Sequence, residues 1–543
     1  MGLRTAAINA YVCYSDVVEV RHPPQPRPLR PYFLLFLLVA NILAVEGQQQ
    51  VFNISRPSGT GILEYFPLEG ENKDDGGGVC LDGSPAGYYY RPGQGPGANK
   101  FLLYYEGGGW CTSDRDCHLR AQTPLGSSKE WLPYMEASTC LGSYFLNTSS
   151  NPLHDWNILF MKYCDGSSFS SMLLQAVSVT TQFLNASSGE ALTAHVYYRG
   201  QRIHDALLDT FVRRHGLLEA SDVVVAGCSA GGLSVYLHVD EVAARFTGRA
   251  GARVRGLADS GFFVDTAPPS ALGNHGNEKD GGARCEGGQS GGETLRWLAS
   301  RQFAPALSPE AVGCLAAGGS GPQGEDAVET VLGAGKVPGQ GRRYMHAGPS
   351  TRLRTLEALF PAQSLVRHTA PPSPPSLFPP PPGDTEAEVR ARCLFARHLL
   401  PSLRTPVFSF FSRYDGAQTS SFACLTDPEG QAEAVNAASR AFVRAFRESL
   451  AASAVPHGYF IDACFRHCFW ELVPAPPSFP LEGSTVGALP MSSSVINPWT
   501  SLKAPSGRSA AEIFLAWYEG RGGLDDWREE RTEAFPCLSC CRG

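Results

Sequence analysis

DVVVAGCSAGGLSVYLHVDEV, residues Asp222–Val242, reads as a strand, a sharp turn and a helix in immediate succession. Val223 to Ala226 is an uninterrupted apolar, β-branched run, the pattern of a strand covered on both faces. From Leu233 the apolar residues recur at helical spacing. Between them lies Gly227-Cys-Ser-Ala-Gly231, a G-x-S-x-G turn whose small residues let a strand enter a helix abruptly and present a serine hydroxyl. The pattern alone decides little, because Gly288-Gln-Ser-Gly-Gly292 matches it as well. Context separates the two. Ser290 sits in a glycine-rich stretch with neither strand nor helix beside it, whereas Ser229 has both, so Ser229 is the candidate nucleophile.

Outward from this unit, Phe101–Tyr105 and Ile158–Met161 read as buried strands, and Ile203–Leu217 as an amphipathic helix leading into the Asp222 strand. Strand, helix, strand in that order implies a parallel sheet with helices packed on it. The expected fold class is α/β, an α/β-hydrolase-like three-layer sandwich with a mostly parallel central sheet. A helix is expected at Glu386–Leu400, a strand at Pro406–Phe411, a helix at Ala432–Leu450 and a short strand at Tyr459–Ile461. Residues 51–543 are read as one such domain. Glycine- and proline-rich stretches, including Pro371–Pro382, mark an insertion over about 266–388 with a helix near Thr294–Arg301.

Composition bounds the function. The chain has 543 residues, 43% hydrophobic, with a net charge of −7 and no Lys/Arg run, so it lacks the basic footprint of a nucleic-acid binder. Tyr32–Val45 is an uncharged apolar run preceded by Arg21, Arg27 and Arg30 and followed by small residues near Gly47. Residues 1–47 therefore read as a secretory signal. The run is shorter than the ~20 residues of a membrane span, so a membrane enters only if the segment is an uncleaved anchor. The sequons at Asn53, Asn147 and Asn185 agree with export and are candidate glycosylation sites.

Acyl transfer at Ser229 needs donors for the developing oxyanion. Ala230 supplies the amide after the nucleophile, and the Phe101–Tyr105 strand runs into Glu106-Gly-Gly-Gly-Trp110, a loop whose glycines free backbone N–H groups to turn inward. Gly108 and Gly109 are the candidates there. The expected order is nucleophile, acid, histidine; Asp415, on the loop after a late strand, is favoured, and Asp259, which comes early, is the rival acid. His457 and His467 are the late histidines, and order and placement favour His467.

Taken together, YEGGGWC (105–111), YCDGSSF (163–169), YYRGQRI (197–203), GCSAGGLS (227–234), LADSGFF (257–263) and DACFRHC (462–468) resemble the pectin acetylesterase family, of which the carboxylesterase Notum is a relative. The resemblance implies a triad of Ser229, Asp415 and His467, an oxyanion hole at Gly108 or Gly109 with Ala230, and two-step ester hydrolysis without metal or organic cofactor. Cys228, the three glycines before Trp110 and YCDGSSF look more like the plant-type carbohydrate esterases than like Notum. The expected substrate is therefore an acetylated polysaccharide such as pectin, acted on by a secreted monomer. The alternatives are a Notum-like lipid deacylase and a catalytically silent binding protein on the same fold.

Sixteen cysteines suit an exported chain. Cys464, His467 and Cys468 with Cys537, Cys540 and Cys541 carry the ligand types of a zinc site, but disulfides fit that compartment better, and a metal-bound His467 is no base. Cys111 and Cys117 are close enough for a local bridge, and Cys228 reads as a small buried residue at the elbow. Trp110, Phe262 and Phe263 adjoin the motifs as candidate stacking surfaces for a sugar ring or acyl chain, with core packing the competing role. Glu106 and Asp165 read as loop-fixing hydrogen bonders.

Overall fold

The computed structural model describes residues 61–136, 149–184, 191–264, 291–302, 391–468 and 498–537, apart from 72, 75, 250, 424, 426, 427 and 429, together with 144, 145 and 540. The segment read as an N-terminal signal, the three sequons, Ser290 and most of the stretch read as an insertion over 266–388 lie outside the described residues.

Twelve described strands form two sheets. They are β1 (Ile62–Pro67), β2 (Gly87–Arg91), β3 (Lys100–Tyr105), β4 (Tyr134–Glu136), β5 (Asn157–Met161), β6 (Val177–Leu184), β7 (Ala191–Val196), β8 (Asp222–Cys228), β9 (Arg253–Asp259), β10 (Val407–Asp415), β11 (Gly458–Arg466) and β12 (Arg528–Glu530). The main sheet has ten strands in the order β12-β11-β10-β9-β8-β3-β5-β2-β1-β4, and β6 pairs with β7 apart from it. From β12 across to β5 every pairing is parallel, while β2, β1 and β4 add an antiparallel edge. The fold is α/β and α/β-hydrolase-like, as the strand–helix alternation implies.

Alternation along the strands creates the layers. Leu103, Tyr105, Leu159, Val223 and Val225 face one core, and Leu102, Tyr104, Ile158, Val224 and Ala226 face the other. The labelled helices are α1 (Asp114–Arg120), α2 (Gly200–His215), α3 (Ala230–Ala244), α4 (Gly291–Gln302), α5 (Ala432–Ala451) and α6 (Ala510–Glu519). On the first face sit α2, through Ile203, Leu207 and Phe211, α3, through Leu233 and Tyr236, and α5, through Phe442 and Phe446. On the second sits α6, through Phe514 and Trp517. A Ser509–Glu512 capping box starts α6, and Gly520 at φ 70° ends it.

Two expectations are corrected in detail. Within the described part of Glu386–Leu400, residues 391–392 and Ala396–Leu399 are helical and Leu400–Ser402 is a 3-10 turn; the helix is interrupted before Ala396 because Phe395, at φ −98° and ψ 124°, is extended. The strands at 406 and 459 run on to Asp415 and Arg466. Their polar C-terminal halves do not alternate visibly, yet mutual pairing through Asp415 and Arg466 holds them extended.

The topology fixes where a site can form. The chain passes from β3 to β5 on one side, then returns through α2 to β8 on the other side of β3. Beyond the carboxyl ends of β3 and β8, where the strand order reverses, an open α/β sheet leaves a crevice. The Glu106–Trp110 loop and Ser229 leave those two strand ends.

His457 enters this frame as a structural residue. It is fully buried before β11, where Val407 N–H donates to its Nδ1 (3.0 Å) and Ser453 Oγ lies 2.9 Å from its Nε2. Burial, aided by the Arg528 charge, pushes the imidazole down to about 4. An unfolded histidine titrates near ~6.5, so the unfolded chain binds the extra proton between these values and stability falls as pH drops from about 6.5 towards 4. Urea midpoints are expected to decline over that window in the native chain and less steeply in His457→Gln; equal slopes would contradict the assignment.

Candidate active site

The elbow forms because Gly227 and Gly231 let backbones meet. A Cβ on Gly227 would strike the Gly231 carbonyl, and one on Gly231 would strike the carbonyl of Tyr105 at the end of β3. Ser229 between them adopts φ 59°, ψ −124°, a conformation non-glycine residues rarely hold. Two bonds hold it there: Ser229 N–H donates to Asp259 O (3.0 Å), and Leu233 N–H donates to Ser229 O (2.9 Å). The residue is thus the N-cap of α3, and its hydroxyl lies at the positive end of that helix.

Asp415 ends β10 and His467 follows β11. Parallel pairing sets Asp415 opposite Arg466, so the next residue, His467, emerges beside the carboxylate. His467 Nδ1 lies 2.8 Å from Asp415 Oδ2, and its Nε2 lies 2.7 Å from Ser229 Oγ. The other carboxylate oxygen accepts from Gln418 N–H (2.8 Å). Asp415 is buried, and the His467 side chain is only 14% exposed. The carboxylate accepts a hydrogen bond from Nδ1–H, which keeps the proton on that nitrogen and leaves the Nε2 lone pair to the serine. Asp259, the rival acid, lies elsewhere: it is fully buried under the elbow and accepts from Tyr144 OH at 3.0 Å.

His467 belongs to a strand three places from β8, roughly 14 Å across a sheet of ~4.8 Å spacing. A disulfide between Cys228 and Cys468 closes that distance. One half-cystine precedes the serine and the other follows the histidine. Cys468 N–H also donates to Ser260 Oγ (3.0 Å) at the end of β9. Cys228 is therefore half of a cross-link, not simply a small residue at the elbow. Further bridges join Cys80–Cys164, Cys111–Cys117 and Cys537–Cys540, and Cys464 is disulfide-bonded as well. The ligand set of a zinc site at Cys464, Cys468, Cys537 and Cys540 is thus consumed in disulfides.

The glycine loop approaches the elbow because Gly107 has no side chain; a Cβ there would meet the Cys228 carbonyl and the Ser229 Cβ. Gly108 and Gly109 take φ 141° and 63°. Arg120 Nη2 donates to Gly108 O, and Tyr163 OH donates to Gly109 O at 2.8 Å. In a planar trans peptide, fixing a carbonyl points the following N–H the opposite way. Arg120 thereby aims the Gly109 N–H, and Tyr163 the Trp110 N–H. Neither Gly108 N–H, Gly109 N–H nor Ala230 N–H has a hydrogen-bond acceptor among the described residues.

Beneath this loop, Trp110 Nε1 donates to Ser168 Oγ (2.8 Å), which donates to Ala230 O (2.8 Å). Asp165 Oδ2 accepts from Ser167 N–H (3.1 Å) and Phe169 N–H (3.0 Å), holding Ser168 and Phe169 at positive φ. Burial raises its carboxyl despite those bonds. Glu106 pairs with Lys162 and accepts from Tyr163 N–H (2.8 Å). Both acids fix loops.

An aromatic wall borders the histidine. Phe263 lies 6.3 Å from the His467 ring, edge-on to Trp110 (4.9 Å) and stacked on Phe422 (5.0 Å). Phe262, by contrast, points into the core against Phe411 and Phe446. Phe422, Arg120 and Gln418 carry no motif that a sequence reading could single out.

A serine, a histidine and an aspartate joined by hydrogen bonds at the switch point of an α/β-hydrolase-like sheet have the parts of a serine hydrolase. Residues 70–276 match the family described as Pectinacetylesterase. The chain is 34% identical over 200 residues to pectin acetylesterase 5 of Arabidopsis thaliana, covering 36% of this chain and 42% of that protein. Pectin acetylesterase 11 of the same plant gives 35% over 189 residues, 35% of this chain and 43% of the relative. Palmitoleoyl-protein carboxylesterase notum1 of Xenopus laevis gives 37% over 193 residues, 34% and 35% respectively. The chain thus spans less than half the length of these relatives. The matched family segment holds the glycine loop and Ser229; Asp415 and His467 lie beyond it and join the serine through the fold.

If the Cys228–Cys468 cross-link positions the imidazole, the double variant Cys228→Ser/Cys468→Ser should react with a fluorophosphonate at Ser229 about 100-fold more slowly, the scale of a ~1 Å misplacement. Its near-UV circular dichroism should be retained. Labelling at the native rate would show that the sheet alone sets the geometry.

Proposed function

We propose that this protein is a secreted serine carboxylesterase that removes O-acetyl groups from a polysaccharide such as pectin. The observation that carries the reading is the continuous relay from Ser229 Oγ through His467 to Asp415. In the first step Ser229 Oγ attacks the ester carbonyl carbon while His467 Nε2 takes the hydroxyl proton. Asp415 holds the ring and stabilises the imidazolium. Negative charge on the carbonyl oxygen is met by the N–H groups of Ala230 and of Gly109 or Gly108, already oriented before substrate arrives. His467 then returns the proton to the departing sugar hydroxyl, leaving acetyl on Ser229. Water, deprotonated by the same histidine, releases acetate and restores the serine.

The matched segment and the plant relatives support ester chemistry and an acetylated polysaccharide. The disulfides and the N-terminal apolar segment support export. The wall of Trp110, Phe263 and Phe422 favours a second reading, in which a longer acyl chain lies against the aromatic rings beside His467.

Two measurements decide. Ser229→Ala is expected to lose at least ~10⁴-fold in acetate release from acetylated pectin, in line with removal of a triad nucleophile, while keeping its melting temperature. Retained activity would refute the assignment. Across 4-nitrophenyl esters of increasing chain length, kcat/KM should be highest for acetate; a maximum at long chains would select lipid deacylation.

A further inference from the structure

Behind the glycine loop, α2 and α3 bring together Gln201, His204, Asp205, His238 and Glu241, none of which takes part in the hydrolytic relay. His204 and His238 are 0% and 1% exposed, and their rings stack at 4.2 Å. Tyr105 flanks both at 5.9 and 5.8 Å. Glu241 Oε2 lies 3.6 Å from His204 Nδ1 and 3.5 Å from His238 Nδ1, and Asp205 Oδ1 lies 3.7 Å from His204 Nδ1. All three separations exceed the ~2.7–3.2 Å of N–H···O hydrogen bonds. They are close to the roughly 3.4 Å that separates neighbouring ligands of a tetrahedral zinc ion with bonds of ~2.0–2.1 Å.

Independent features agree. His238 Nδ1, the atom that faces Glu241, is buried and has no hydrogen-bond partner. His238 Nε2 lies 3.4 Å from Ser168 O, an acceptor that fixes its proton there and leaves the Nδ1 lone pair facing Glu241. Gln201 Nε2 lies 3.4 Å from His204 Nδ1 and 3.1 Å from Glu241 Oε2, marking both atoms as electron-pair donors. One ligating atom from each of His204, His238 and Glu241 falls within 4.8 Å of the others. Asp205 is half-exposed at the open side, where an ion enters and where its carboxylate or a water completes four ligands.

We propose that His204, His238 and Glu241 form a binding site for a divalent transition-metal ion, zinc by the chemistry of two imidazoles and a carboxylate, with Asp205 at the fourth position. Nitrogen donors disfavour magnesium and calcium, which select oxygen. The ion would staple α2 to α3 and, through His238 and Ser168, support the layer under Trp110 and Ala230. Its role is structural; it touches neither substrate nor relay.

Metal content of the purified full chain is read by mass spectrometry as isolated, after chelation, and on titration with Zn²⁺ alone. One equivalent should be taken up by the stripped native chain. Affinity should fall at least ~100-fold in Glu241→Gln, which keeps side-chain size at a partly exposed position, since loss of a ligand exceeds the 10–100-fold cost of losing an outer partner. The double variant His204→Phe/His238→Phe should bind none, and chelation should lower the melting temperature of the native chain only. No uptake by the stripped native chain, or native affinity in Glu241→Gln, would overturn the proposal. Metal content is read independently of Ser229 reactivity, so the outcome stands apart from that of the esterase reading.

Discussion

The site depends on one constraint. The histidine is delivered by β11, the serine by β8, and two strands separate them in the sheet. Strand pairing gives His467 its aspartate at no extra cost, because β10 and β11 are neighbours in register. It does not give His467 its serine. The Cys228–Cys468 bond and the Cys468–Ser260 hydrogen bond carry the loop back over the ends of β10 and β9. The bond also closes a loop of 240 residues, and in the chain-entropy account such a long loop places its stabilisation in the restricted unfolded chain, on the order of 5 kcal/mol.

A second constraint acts on the backbone. The elbow, the glycine loop and the β3 terminus meet without side chains between them, at Gly107, Gly227 and Gly231. That close approach brings the donor loop to the serine, and Arg120 and Tyr163 set which way its peptides face. The aromatic wall then borders the site on the side of His467.

Much of this was legible in the sequence because it rests on local patterns. The Val223–Ala226 run and the α3 periodicity placed Ser229, and chain order placed Asp415 and His467 behind it. Other parts rest on pairings distant in sequence. With sixteen cysteines, the partner of Cys228 could not be read from spacing. The polar ends of β10 and β11 hide their extended state until the two strands pair, and the extended Phe395 interrupts a helix that periodicity alone runs on to Leu400. Phe422 and the His204–His238 pair become neighbours of anything notable only once helices and turns are packed. His457, the other late histidine, is separated from His467 by burial and by the Val407 N–H bond.

The central claim is that an acyl group passes through Ser229. Rapid mixing with 4-nitrophenyl acetate, acid quenching and peptide mass analysis tests it most directly. The account predicts the mass of one acetyl group on the peptide containing Ser229, formed in a burst and cleared on further incubation. Turnover of the ester with no acyl group on that serine would contradict it.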